Sequence, residues 1–141
     1  MQNWYTGFLS ISNFRDTIPL PHVPPDFPID EPEYDNEVYD GLSRQYTRIG
    51  KPKLRSWEWS SYFPLDGEKY FANILNGTGW QAVEKIRSWR EERVPVRFIL
   101  TDRSYIARIN AACTIDKFEA KISKVGRIEY TIRLTEYNFV L

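Results

Sequence analysis

One cysteine, Cys113, and one histidine, His22, stand in the whole 141-residue chain. A lone cysteine forbids an internal disulfide, so the fold must be held by its core. It also suits assembly in a reducing cytoplasm. A single histidine inside a proline-rich stretch is a poor general base, and without a second histidine or a cysteine cluster no zinc-type ligand set can be spelled. No metal or other cofactor is therefore expected. No apolar run approaches the ~20 residues that span a bilayer. The opening MQNWYTGFLSIS lacks the basic region and long apolar run of a secretory signal. Net charge is missing too, because 19 basic and 19 acidic residues cancel. A general nucleic-acid binder needs excess positive charge to displace counterions. Neither a membrane nor a specific nucleic acid is an expected partner.

Aromatic residues, by contrast, make up 16% of the chain. Large rings fill small cores and are also favoured at protein interfaces. Charge, although balanced, is unevenly spread. Residues 26–40 carry seven acids (Asp26, Asp30, Glu31, Glu33, Asp35, Glu37, Asp40) and no base. Residues 41–55 carry five bases (Arg44, Arg48, Lys51, Lys53, Arg55) and no acid. One reading has the two segments facing each other within the fold. The other has them pairing between adjacent copies. It makes Asp26, Asp30, Glu31, Glu33, Asp35, Arg44, Arg48, Lys51, Lys53 and Arg55 a candidate assembly interface.

The chain reads as one domain, residues 1–141. Residues 4–12 have strand composition. Six prolines between Pro19 and Pro32 predict an extended arm over about 19–35, lying on a neighbour or packed on its own domain. Strands are predicted at 36–40, 43–50 and 53–61, with turns at Gly41 and Gly50-Lys51-Pro52. In the third, Trp57 and Trp59 share a face and point to the core, and Tyr62-Phe63-Pro64 ends the strand. Residues 65–77 fit a short helix or an ordered loop. The clearest local pattern is a helix at 79–92. Thr78 and Gln81 match a capping box, Ala82, Val83, Ile86 and Trp89 make one apolar face, and Pro95 stops it. Residues 96–101 read as a buried strand. Residues 105–118 alternate with Ile109, Ala111, Cys113 and Ile115 inward, and 127–137 alternate with Ile128, Tyr130, Ile132 and Leu134 inward. The last two should form an antiparallel hairpin. The expected class is α+β, mainly β: an antiparallel sandwich or split barrel with one main helix.

A catalytic set is hard to assemble from these residues, and no enzyme activity is expected. Cys113 falls on an inward strand face, where a structural thiol outranks a nucleophile. The acidic run offers carboxylates, but nothing fixes the separation a glycosidase needs. The GTGW stretch before the helix is not a phosphate-binding fingerprint. Trp57, Trp59, Tyr62 and Phe63 beside five bases could form a stacking platform for single-stranded nucleic acid, which gives an alternative reading as a nucleic-acid-binding β-barrel module.

Three segments carry a family resemblance: NEVYDGLSRQYTRIGKPKLRSWEWSSYFP at 36–64, WQAVEKIRSWREERVPVRFILT at 80–101, and GRIEYTIRLTEYNFV at 126–140. A strand ends in paired aromatics and proline at Tyr62-Phe63-Pro64. A Trp-started helix runs from Trp80 through Ile86 and Trp89 to Pro95 and the strand beginning Val96-Arg97-Phe98. An alternating strand closes on Glu136-Tyr137. Together, over about 100 residues in the same order, they resemble the N-terminal domain of the LysM-containing tail and baseplate proteins of PBSX-like prophages and contractile-tailed phages. The resemblance implies a virion structural protein of a contractile injection system: a tail-tube initiator or hub adaptor. It implies a homo-oligomeric, hexameric ring of tube-like β-barrel units. The partners it implies are the tail tube protein, the central hub protein and neighbouring baseplate proteins, in a phage-tail-like particle. The family usually continues into a LysM module. This sequence ends at Leu141, so contacts made through that module are not expected of these residues.

Overall fold

The computed structural model describes residues 5–11, 16–20, 22–24, 27–29, 32–64, 79–124 and 126–139. Among these described residues, eight strands and one helix follow in chain order: β1 (Thr6–Ile11), β2 (Asp16–Leu20), β3 (Glu37–Asp40), β4 (Gln45–Arg48), β5 (Ser56–Pro64), α1 (Gly79–Glu92), β6 (Val96–Thr101), β7 (Ala107–Ile122) and β8 (Arg127–Glu136). Six of the strands form one antiparallel sheet in the order β2-β1-β6-β7-β8-β5, curled into a half-barrel. β3 and β4 pair only with each other. The described residues are thus mainly β with one helix, as the alternation and the apolar stripe at 79–92 predict.

The sheet's concave face is built from the period-2 pattern. Ile128, Tyr130, Ile132 and Leu134 of β8 lie beside Trp57, Trp59 and Phe63 of β5, with Trp59 opposite Ile132 and Phe63 opposite Ile128. Val96, Phe98 and Leu100 of β6 face the same way. So do Ile109, Ala111 and Cys113 of β7. Phe98 sits at the centre of this aromatic core, stacked on Trp59 at 5.1 Å and edge-on to Trp57 at 5.7 Å. Each fully buried side chain of this size contributes about 1.5–3 kcal/mol relative to exposure. The opposite face is polar. Arg97 donates to Asn110 at 2.9 Å, and the hydroxyls of Ser60 and Thr131 meet at 2.7 Å.

Along β7 the alternation holds to Ile115 and then shifts by one residue. A bulge lies between Ile115 and Lys117, so that Phe118 and Ala120, rather than Lys117, turn to the core. Asp116 is the extra residue. Its carboxylate accepts from Thr114 at 2.9 Å and from the Thr135 hydroxyl across the ladder. Such a bulge bends its strand and increases the twist, which helps the sheet curl.

Helix α1 covers part of the concave face with Ala82, Val83, Ile86 and Trp89, all buried. Lys85 ties it to β2 through Asp16 at 2.5 Å. Thr78, the expected cap residue, lies outside the described residues, as does the ambiguous segment 65–77. The C-terminus is closed by a Schellman motif: the Val94 amide donates to the Trp89 carbonyl and the Arg93 amide to the Arg90 carbonyl. Arg93 takes the left-handed conformation this requires, with φ of 58°. Pro95 then starts the chain toward β6.

The expected arm at 19–35 resolves into distinct parts. Pro19 belongs to β2, opposite Phe8 at the sheet's edge, where a missing N–H costs least. Beyond it, described residues at 22–24 and 27 pack on the main sheet. His22 stacks on Tyr62 of β5 at 4.2 Å and its carbonyl accepts from Ser61 at 2.5 Å. Val23 and Phe27 are buried, and Phe27 meets Trp59 and Phe98 edge-on. This stretch therefore seals its own domain. Pro28 and Ile29 are already exposed, and from Glu33 through Ile49 every residue is.

Candidate functional site

Every residue from Glu33 through Ile49 is exposed, yet the segment is regularly hydrogen-bonded. It is one arm and most of the other of a ribbon running from Glu33 to Lys53. Its base is joined by the Lys53 amide to the Glu33 carbonyl and the Asp35 amide to the Lys51 carbonyl. Tyr34 and Pro52 bridge the same region. β3 and β4 then pair with Glu37 opposite Arg48, Val38 opposite Thr47, Tyr39 opposite Tyr46, and Asp40 opposite Gln45. The Gly41 amide bonds the Arg44 carbonyl at the tip.

The sequence sets this shape through small, local requirements. Between base and strands the register shifts by one, and Gly50 absorbs the step. Its amide donates to the Asn36 side chain at 2.9 Å. A Cβ on Gly50 would lie 1.8 Å from the Asp35 carbonyl oxygen, closer than any real contact. Tyr39 and Tyr46 stack at 5.6 Å on one face. Gln45 donates to Asp40 at 2.9 Å on the other.

A two-stranded ribbon is marginal in water by itself. This one also displays Tyr34, Val38, Tyr39, Leu42, Tyr46, Ile49 and, just past its base, Leu54 to solvent, with Val38 at 65% and Ile49 at 80% of full exposure. Exposed apolar side chains gathered on one small element mark it as a candidate interaction surface. Charge divides along its two strands. Glu33, Asp35, Glu37 and Asp40 line one; Arg44, Arg48, Lys51 and Lys53 line the other. Among the described residues, none of these eight joins an ion pair within 4.0 Å.

The structure therefore brings Glu33 beside Lys53 and Asp35 beside Lys51 through backbone bonds within one chain, and leaves all four side chains exposed. Asp26, Asp30 and Glu31 lie outside the described residues. Arg55 stands apart from the other bases. Its guanidinium binds Glu136 at 2.8 Å and lies over the Trp57 ring at 5.1 Å. The charged pair anchors the point where the ribbon joins β5. The Arg55 guanidinium, as chief cause, holds the Glu136 carboxyl below the usual glutamate range.

Sequence reasoning found the charge division and both strands but missed that they form a separate ribbon. The signal was present: 33–49 contains no run of alternating apolar residues long enough to cover a core face. The other candidate groups are placed plainly. Trp57, Trp59 and Phe63 are buried, and Tyr62 is covered by His22 and by Arg127 at 4.1 Å, so these rings offer no open stacking platform. Cys113 is fully buried, and desolvation pushes its thiol up to about 12. Among the described residues no group of three His, Cys, Asp or Glu side chains could hold a metal ion, and no helix is long and apolar enough to cross a membrane.

No family model matches the chain. It is 29% identical over 134 residues to the uncharacterized protein YqbP of Bacillus subtilis (strain 168), a match covering 90% of this chain. The chain spans 57% of that relative's length. It is a distant homologue of YqbP.

Proposed function

We propose that this chain is a structural subunit of a contractile, phage-type tail, a tube initiator or hub adaptor at the junction of tail tube and baseplate. It works by assembly and makes or breaks no bond. The observation that carries the assembly reading is the ribbon at 33–53: seventeen consecutive exposed residues hold a regular backbone and display apolar side chains that a lone subunit leaves uncovered. The resemblance of 36–64, 80–101 and 126–140 to the tail and baseplate family supports the particle in which that assembly occurs. The half-barrel with one helix accords with tube-like ring subunits.

On this reading the partners are further copies of the chain in a hexameric ring, the tail tube protein above, and the hub and neighbouring baseplate proteins below. Assembly takes place in the bacterial cytoplasm. The test is direct. Tail-like particles from the source bacterium should contain this subunit at the foot of the tube in electron micrographs, and deleting its gene should yield baseplates without tubes. Complete particles from the deletion strain would reject the reading.

A further inference from the structure

The ribbon's two outer edges are open and oppositely charged, and the backbone phase decides which groups they present. The Gly41-to-Arg44 bond makes Tyr39/Tyr46 and Glu37/Arg48 the pairs that exchange hydrogen bonds. The backbone groups of Val38 and Asp40 therefore point out from β3, and those of Gln45 and Thr47 point out from β4. Unpaired edges of this kind template a further strand.

We infer that ribbons of neighbouring copies join edge to edge through β3 of one and β4 of the next, the acidic arm 33–40 beside the basic arm 44–53. This rests on the assembly reading and specifies its interface. When all ribbons point the same way, β4 of one copy and β3 of its neighbour run antiparallel, which continues the pairing already present within each ribbon. The occupant is a second copy because each edge carries the charge its opposite edge lacks. Four acids on one strand face four bases on the other only when a copy is displaced sideways. A two-fold arrangement of β3 on β3 would set acids against acids, and β4 on β4 bases against bases. The contact is therefore head-to-tail, and repeated with a closing rotation it gives a ring with two ribbon strands from each copy. One broad face of that ring would carry the stacked Tyr39 and Tyr46 of every subunit, and the other would carry Val38.

Charge exchange tests this. One variant changes Glu33, Asp35, Glu37 and Asp40 to Lys; a second changes Arg44, Arg48, Lys51 and Lys53 to Glu; a third makes all eight changes. Sedimentation should show salt-sensitive oligomers for the unaltered chain and association weaker by roughly tenfold or more for each four-residue variant. Equimolar mixing of those two variants should restore oligomers, and the eight-residue exchange should assemble alone. Fluorescence of the buried Trp57 and Trp59 monitors the core in each case. A monomeric unaltered chain, undiminished assembly of either four-residue variant, or failure of both the mixture and the eight-residue exchange overturns the edge pairing. Such a failure leaves the tail reading standing if the subunit is found in tail particles. Its absence from particles, with edge pairing intact, rejects the tail reading alone.

Discussion

Arg55 and Glu136 hold each other through backbone and side chain at once: the Glu136 amide donates to the Arg55 carbonyl at 2.7 Å, the Arg55 amide to Glu136 Oε1 at 3.2 Å, and the guanidinium to Oε2 at 2.8 Å. This clamp fixes the last residues of β8 to the strand that leaves the ribbon. Replacing Glu136 with Gln should cost about 1 kcal/mol, since the pair is partly exposed and keeps some of its bonds. Its folded carboxyl is lowered by Arg55, so its stabilisation is complete above the unfolded glutamate range and is lost as pH falls through the folded value. Urea denaturation at pH 7 and across the acid range should show the E136Q variant losing less stability on acidification than the unaltered chain.

A second clamp lies inside the core, where the Trp59 indole donates to the Tyr130 hydroxyl at 3.2 Å. Tyr130→Phe leaves that N–H buried without this acceptor and should cost about 1–3 kcal/mol. Desolvation pushes the Tyr130 hydroxyl up to about 12. Absorbance titration should accordingly find one tyrosine ionising later than the exposed ones, and the Y130F variant should lack that late step.

Gly50→Ala should separate the ribbon from the rest of the fold. The added Cβ meets the Asp35 carbonyl oxygen, so the register step cannot form. Among the described residues β3 and β4 pair with no other strand, and stability should stay within about 0.5 kcal/mol of the unaltered chain. Hydrogen exchange should speed up at residues 33–53 alone, and oligomers should be lost.

Arg93→Gly should stabilise the chain. A left-handed arginine carries a steric penalty that glycine lacks, and C′ of a Schellman motif favours glycine. The expected gain is about 0.5–1 kcal/mol, read from the urea midpoint with an unchanged slope.

Cys113 should resist alkylation at neutral pH. Burial suppresses its thiolate, and its backbone lies in the middle of the sheet. Labelling should appear only in step with global unfolding; fast labelling of the folded chain would contradict its placement.

Much of this architecture was legible in the sequence because the main sheet obeys a strict period. Helix α1 spans 79–92 as its single apolar stripe requires, β6 spans 96–101, and β8 turns Ile128, Tyr130, Ile132 and Leu134 inward. What stayed hidden depends on tertiary context. β2 carries a proline, which argues against a strand unless that strand lies at an edge. Phe27 is buried because its ring packs on Trp59 and Phe98, contacts that its own proline-rich surroundings do not announce. The bulge at Asp116 has no signature of its own until Thr135 is known to lie beside it. Charge blocks, likewise, announced that 26–55 was unusual without saying that two of its strands would stand clear of the sheet.

The order of strands in the sheet also governs how the chain comes off the ribosome. β1 finds its inner neighbour in β6, with Thr6 and Thr101 bonded across 95 residues, and β5 waits for β8. Until the final strand is synthesised, the apolar face of β5 lacks the neighbour that covers it. The hairpin at 37–48, whose arms are close neighbours in sequence, waits for no distant strand to pair, although alone it is marginal. On the edge-pairing inference, a hairpin built from local contacts would meet those of sister copies made on one message before the main sheet closes.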